Sequence, residues 1–588
     1  KRMAENAHKH NLKIYDHIDY TLLWNMDSGF RVASENPQWL TRELDTLLPS
    51  TDFCVNNRER NQAFRKYLKE YIKDTGLDGM MIDEVCFVGN NFCGCGDCRN
   101  DFTSDTDQMW PLNETAADNQ DGKNVQINTP LAKTFRAWRR KRVGDWWVEL
   151  RKSLDKDFPQ FGFFCYSTHY GLTSSHATNS LGADLVQIAR AVDFIGTEIM
   201  PRNIWANYRP IFAYRKAQNM LRNAFGIPIY GQIYAPGGWD VAYFGWGIMN
   251  MNSQVYWADP AMKCPAGKSN YYAFSDRNMD IGKAENCADV VLLFSSQGRD
   301  NGVLMQYKSE LFGMAQTLGD MHVNYDIICD TMLSANALEK YKVLFVGTSA
   351  PLSDKQIAII RKFAANGGHV ILGPIAALAD EYGNMRKKWP FEELFKFRPS
   401  DKLSKVKMLD LDNGTTVLPA QIITAYLPHP RNMKMPSAPV NMVWGKTRIP
   451  AIFSKNYGKG KIKFMPLCIG SNLKQEELMV GLKVNFELDQ ATSAACKHLW
   501  KSILKDAQAG TWECNAPEKV PATLYRQDGY YYAHFLNATG VNLKVGDVIQ
   551  IAIPDNAFPA LKEDIIFTLP GKKLTTAEAA SPDFDGWK

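Results

Sequence analysis

Several functional classes are missing from this chain. None of its 588 residues belongs to an apolar run of 18, so no membrane-spanning helix is expected. It has no Lys/Arg block and its net charge is only +5, which gives no reason to expect a nucleic-acid partner. Neither G-x-G-x-x-G nor G-x-x-x-x-G-K-[ST] occurs, so no nucleotide and no organic cofactor is expected. There is no G-x-S-x-G nucleophile elbow. Twelve cysteines in a chain this long do not make a disulfide scaffold, and the scattered ones are expected to be buried thiols.

What remains is an ordinary globular composition, with 45% hydrophobic and 22% charged residues. The length predicts two to four domains. Fifteen Trp and 24 Tyr supply flat apolar faces of the kind that stack on sugar rings, although most of them will be core.

Residues 1–282 alternate helix and strand, which predicts a parallel sheet with helical crossovers. Six strands are expected, ending near Asp19, Asp83, Tyr166, Glu198, Tyr234 and Trp257. A closed (β/α)8-type barrel has eight, so the first two are expected upstream of Lys1; the alternative is an open sheet. Residues 283–475 read as a second α/β domain with continuous apolar strands such as Val290–Phe294 and Val343–Val346. Residues 476–508 read as a helical linker. Residues 509–588 read as a small antiparallel β-sandwich, with strands at 522–525, 530–535 and 548–553.

Chemistry concentrates in one stretch. Gly79-Met-Met-Ile-Asp83-Glu84 is a buried strand ending in two carboxylates, and Cys93-x-Cys95-x2-Cys98 follows. Strand C-termini carry the chemistry of parallel barrels, so paired acids there point to hydrolysis. Side chains alternate along a strand, so only one of Asp83 and Glu84 faces the barrel axis. Three thiolates within six residues suit one tetrahedral Zn²⁺, with Cys54 or Cys86 as the fourth ligand. Four thiolates leave no open position, which predicts a structural metal. Asn56 and Glu59 read as a capping box for the helix from Arg58. His17 and Asp19 close the first strand and are candidates for binding sugar hydroxyls, with Tyr166, His169 and Trp239 as further subsite candidates.

Cys54, then a helix, the carboxylate strand and the C-x-C-x2-C loop together resemble the family 42 β-galactosidases. That resemblance implies a structural zinc on Cys54, Cys93, Cys95 and Cys98. Tyr307-x3-Leu311-x-Gly313, His322-x3-Asp326-x-Ile328, Tyr341-Lys-Val-Leu344, Leu352-Ser-Asp354 and Gly367-Gly368 resemble that family's trimerisation domain. This implies a flavodoxin/glutamine-amidotransferase-like fold and a trimer-type homo-oligomer. Glu84 has the family's acid/base spacing to Cys93, but Asp83 replaces the family's Asn, and Gln232 stands in the segment resembling that of the nucleophile. Leu77-Asp-Gly-Met-Met-Ile-Asp83 also resembles the strand of family 29 and family 151 α-L-fucosidases. The expectation is therefore an α-L-fucosidase-like retaining glycosidase acting on a terminal sugar of oligosaccharides, with Asp83 as nucleophile and Glu198 as acid. The alternatives are a family 42-like β-galactosidase using Glu84, and a carbohydrate-binding protein without catalysis.

Overall fold

The computed structural model describes residues 1–21, 27–111, 129–167, 172–173, 175–199, 208–233, 238–258, 283–301, 306–399, 403–411, 414–425, 440–444, 447–472, 475–479, 482–485, 488–539 and 564–572. The chain divides into two units. One holds residues 1–198, 221–232 and 300–302; the other holds 199–220, 233–299 and 303–588.

In the first unit β1 (Tyr15–Asp19) is followed by a hairpin of β2 (Leu40–Arg42) and β3 (Pro49–Phe53). Then come β4 (Gly79–Asp83), β5 (Gly162–Ser167), β6 (Phe194–Ile199) and β7 (Ile229–Ile233). Their order in the sheet is β1-β4-β5-β6-β7, and the β1–β4, β4–β5 and β5–β6 pairs are parallel. With β8 (Val255–Ala258), all six expected strands form.

The two faces of this sheet differ. On one, Phe163 packs against Trp147 of the helix Pro130–Asp155, with ring centroids 6.3 Å apart. Met80, Ile82, Cys165 and Ile195 alternate onto that face and are buried. On the other, the Tyr15 and Phe194 rings meet at 5.8 Å and the Phe164 and Tyr230 rings at 5.5 Å. In a flat sheet at about 4.8 Å per strand, β1 and β6 would lie about 14 Å apart. The Tyr15–Phe194 contact therefore marks a concave inner face, as in a barrel wall. Glycine makes room for it: a Cβ at Gly79 would sit 2.0 Å from Cε1 of Tyr15, and one at Gly162 would sit 2.3 Å from its hydroxyl.

The helix Arg58–Thr75 is capped one residue later than the sequence suggests. Asn57, not Asn56, accepts the Arg60 N–H at 2.9 Å. The Asn56 side chain is held elsewhere, donating to Asp101 at 3.0 Å and accepting from Arg142 at 2.9 Å.

In the second unit β9 (Glu285–Asn286) precedes β10 (Val290–Phe294), β11 (Tyr325–Cys329), β12 (Val343–Gly347) and β13 (His369–Leu372). Next are β14 (Leu403–Leu411), β15 (Gly414–Ala425), β16 (Val440–Trp444), β17 (Thr447–Pro450), β18 (Phe453–Tyr457) and β19 (Gly460–Phe464). The main sheet runs β11-β10-β12-β13-β19-β18, with β18 antiparallel at the edge. Its five parallel strands follow the 2-1-3-4-5 order of flavodoxin-like folds. β14 to β17 form a separate antiparallel sheet.

Two expectations are corrected in this unit. The linker over 476–508 is helical only from Gln490 to Ala507, because β20 (Gln475–Met479) and β21 (Leu482–Asn485) pair as a hairpin. The C-terminal β domain is not built from residues 509–588 alone. β22 (Glu513–Cys514) pairs with β25 (Phe567–Thr568), while β23 (Ala522–Gln527) lies between β24 (Tyr530–Phe535) and β9. Edge pairing needs only two residues of β9, too short a stretch to show as a strand in sequence. The strand expected at 548–553 lies outside the described residues.

Glu310, on the helix Gln306–Asp320, is 1% exposed. Its Oε2 accepts the Ser471 N–H at 2.9 Å, and its Oε1 has no hydrogen-bond partner among the described residues. Burial pushes its pKa up to about 8. The folded state therefore keeps a proton that the unfolded chain releases near pH 4.5. Stability from this group is complete below pH 4.5 and is lost as pH rises toward 8. Glu310→Gln is expected to stabilise the protein at pH 9 by on the order of 4 kcal/mol relative to its effect at pH 5. Melting curves across pH check this; parallel wild-type and variant profiles would refute it.

Candidate active site

β1 and β4 pair in register with Asp19 opposite Asp83. Both carboxylates stand on the inner face at the strand C-termini, and His17, two residues before Asp19, joins them there. His17 Nε2 lies 3.6 Å from Asp19 Oδ1 and 3.8 Å from Asp83 Oδ2. The two acid side chains are each 17% exposed and the histidine is half exposed. The neighbouring Asp83 carboxylate raises the His17 pKa above that of a free imidazole, against the opposing pull of burial. Burial raises Asp19, and the charge of Asp83 adds to it.

Sequence had named His17 and Asp19 together as sugar-binding candidates and Asp83 apart from them. Their convergence comes from the register, and the available signal was that Asp19 and Asp83 each end a strand. His17→Ala removes the cation between two like charges. The acidic limb of the pH–rate profile should then move to higher pH, with turnover falling about tenfold. An unshifted profile would show that His17 does not hold the pair.

The alternation settles that Asp83, not Glu84, continues the inner face. Glu84 follows at φ +54°. This left-handed conformation is costly for a residue with a Cβ, and such positions cluster at functional sites. It takes Glu84 out of strand geometry, so alternation no longer dictates its direction. Glu84 is half-buried, and the Cys86 thiol lies 4.0 Å from its Oε2. Asp78, the first acid of the Asp-Gly stretch, is structural: it accepts the Ile14 N–H at 2.8 Å and bonds His8 at 2.9 Å.

One step beyond the Ile82–Cys165 pair, Tyr166 stands beside Asp83 on the inner face. Tyr166 is buried, and its hydroxyl donates to Oε1 of half-buried Gln232 on β7. The intervening β6 has Gly196 at this level, where a Cβ would lie 3.0 Å from the Tyr166 ring. Two expected site residues fall on described elements without described side chains: Glu198 on β6 and Trp239 on the helix Gly238–Met251. His169 lies outside the described residues.

Three cysteines of a four-membered cluster follow β4 closely in the chain. Cys54, Cys93, Cys95 and Cys98 are buried, with all four sulfurs within 4.8 Å of one another. Cys54 Sγ lies 3.7 Å from Cys95 Sγ and 3.6 Å from Cys98 Sγ. Tetrahedral Zn²⁺ with ligands at 2.3 Å sets its sulfurs about 3.8 Å apart, so the four thiols fit that ion. Cys86, the other candidate for fourth ligand, is not part of the group. The loop is held by the β2–β3 hairpin: Gly94 N–H donates to the Arg42 carbonyl at 2.7 Å. A Cβ at Gly94 would lie 2.5 Å from the Glu43 carbonyl oxygen, which accounts for the glycine between the first two cysteines.

Residues 295–480 match the family described as Beta-galactosidase trimerisation domain. No curated protein matches the chain. Among solved structures, a catalytic mutant of Gan42B, a GH42 β-galactosidase from G. stearothermophilus, is similar with a TM-score of 0.64 at 12% identity, covering 91% of this chain and 84% of that one. The β-galactosidase from Bacillus circulans sp. alkalophilus is similar with a TM-score of 0.64 at 11% identity, covering 91% and 85%. The β-galactosidase from the Antarctic haloarchaeon Halorubrum lacusprofundi has a TM-score of 0.60 at 10% identity, covering 90% and 84%. At these identities the likeness is one of fold: a parallel barrel followed by the trimerisation domain. These neighbours are β-galactosidases, and no α-L-fucosidase is among them.

Proposed function

We propose that this chain is a glycoside hydrolase that removes a terminal sugar from oligosaccharides, with β-galactoside-type substrates as the favoured class. The observation that carries the reading is the Asp83 carboxylate on the inner face at the end of β4, clustered with Asp19 and His17. Glycosidic cleavage passes through an oxocarbenium-like state, and a fixed carboxylate opposes its charge. Glu84 is assigned the proton transfer to the leaving oxygen. The fold likeness to β-galactosidases supports this reading over the α-L-fucosidase one, which needs Glu198 as the acid.

Cys54, Cys93, Cys95 and Cys98 would hold a zinc ion whose work is to brace the loop after Glu84. The trimerisation domain supports a homo-oligomer, and no helix among the described residues is long and apolar enough to cross a membrane.

A panel of nitrophenyl β-D-galactoside, α-D-galactoside and α-L-fucoside separates the readings. Release from the β-galactoside is expected. Turnover of the fucoside alone would restore the Asp83/Glu198 assignment. Binding of galactose without hydrolysis of any substrate would leave a carbohydrate-binding protein.

A further inference from the structure

Glu84 holds its left-handed backbone, φ +54°, against a steric cost, so its surroundings must impose it. The β1–β4 ladder does not, because its register ends at the Asp19–Asp83 pair. Beyond that pair the chain after β1 keeps to the chain after β4. The Tyr20 N–H donates to the Asp83 carbonyl at 3.0 Å, and the Thr21 N–H to the Glu84 carbonyl at 3.2 Å. Thr21 then bonds the same turn a second time: its Oγ1 accepts the Cys86 N–H at 3.2 Å. One residue therefore holds both ends of Glu84-Val85-Cys86. The residue after the turn is fixed separately, with the Phe87 N–H donating to the Leu181 carbonyl at 2.8 Å.

Thr21 is itself anchored. It is 0% exposed, and its carbonyl accepts the N–H of Phe53, the last residue of β3 and the neighbour of Cys54, at 3.0 Å. Cys86 carries the hold on to the acid's side chain, since its thiol lies 4.0 Å from Glu84 Oε2. The bonds to Glu84 and Phe53 use the Thr21 backbone, and most residues could make them. The bond to Cys86 needs a side-chain oxygen at this place.

We propose that Thr21 is a positioning residue for the proton donor: through Oγ1 it fixes the turn that aims the Glu84 carboxyl at the leaving oxygen. This rests on the reading of the chain as a glycosidase with Glu84 as its acid. Valine has the shape of threonine with a methyl group in place of the hydroxyl. In Thr21→Val the buried Cys86 N–H loses its acceptor, and the turn must shift to find another. A displacement of about 1 Å is enough to spoil proton transfer. Asp83 keeps its place, because the β1–β4 ladder holds it.

The test compares wild type, Thr21→Val, Thr21→Ser and Glu84→Gln in the full chain on phenyl and 2,4-dinitrophenyl β-D-galactosides. Phenolate leaves poorly and needs the proton, whereas dinitrophenolate leaves without it. Thr21→Val is expected to lower kcat about 30-fold on the phenyl galactoside and less than about threefold on the dinitrophenyl one, with KM little changed. Glu84→Gln should show the same selectivity with a larger loss. Thr21→Ser keeps Oγ1 and should restore kcat to within about twofold of wild type. A loss of equal size on both substrates would make Thr21 a structural residue and overturn the inference. So would wild-type kinetics in Thr21→Val, or a serine variant no better than the valine one. Should Thr21→Val not fold, Thr21→Ala is read in the same way. If Glu84→Gln lost equally on both substrates, Glu84 would not be the acid, and this inference would fall while the glycosidase reading stood. No hydrolysis of any glycoside by the wild-type chain would remove both.

Discussion

Asp83→Asn is expected to lower kcat/KM by about 10³-fold while the protein keeps its melting temperature. The substitution removes one negative charge and almost no volume. The local frame survives it, because the Glu84 N–H donates to Asp83 Oδ1 at 2.8 Å and an asparagine oxygen accepts the same bond. The Asp83 carbonyl still takes the Tyr20 N–H at 3.0 Å. On the proposed reading, what would disappear is the charge opposite the developing oxocarbenium ion, together with the main reason for the raised pKa of His17. The variant should therefore also show the His17 titration, followed by NMR, moving back down toward that of free imidazole. Wild-type turnover in this variant would remove Asp83 from the chemistry. Lost turnover together with a lower melting temperature would instead describe a folding defect.

Removal of a zinc ion from the four-cysteine cluster is the second large expected effect, and it should show in stability before activity. Elemental analysis of the purified chain is expected to find one zinc per polypeptide. Cys98→Ser, or prolonged chelation, is expected to lower the melting temperature by roughly 10 °C or more, since structural zinc contributes folding free energy directly. The four sulfurs come from two segments, Cys54 before the helix Arg58–Thr75 and the Cys93–Cys98 loop after β4. The ion would therefore close a loop that contains the whole of β4. Turnover should fall with folded fraction rather than ahead of it. Wild-type stability after complete chelation, or a preparation containing no zinc, would show the cysteines to be an ordinary buried thiol cluster. The contrast with Asp83→Asn, where activity goes and stability stays, separates the two roles.

Some of this was legible from local pattern. The apolar run Gly79–Ile82 and the continuous run Val290–Phe294 form the buried strands they suggest, because a strand covered on both faces needs no polar position. The closely spaced cysteines had to share one place, whatever the fold. Asn56 misled because a cap is decided by which side chain is left over. Asp101 and Arg142, from two other helices, claim Asn56 and pass the cap to Asn57. The hairpin Gln475–Asn485 was hidden for a related reason: pairing, not propensity, makes its strands.

By itself the sequence determined the strand–helix alternation of the first sheet, the acids that end β4, and three of the four thiols that fit one ion. Those features depend on residues close in the chain or on chemistry independent of distance. Only the tertiary structure decided that Asp83 rather than Glu84 continues the inner face, that His17 and Asp19 stand beside it, and that Tyr166 reaches past Gly196 to Gln232. Each of those depends on register and on the curl of the sheet. A shift of one residue between β1 and β4 would turn Asp19 away from Asp83, and nothing within either strand alone forbids that shift.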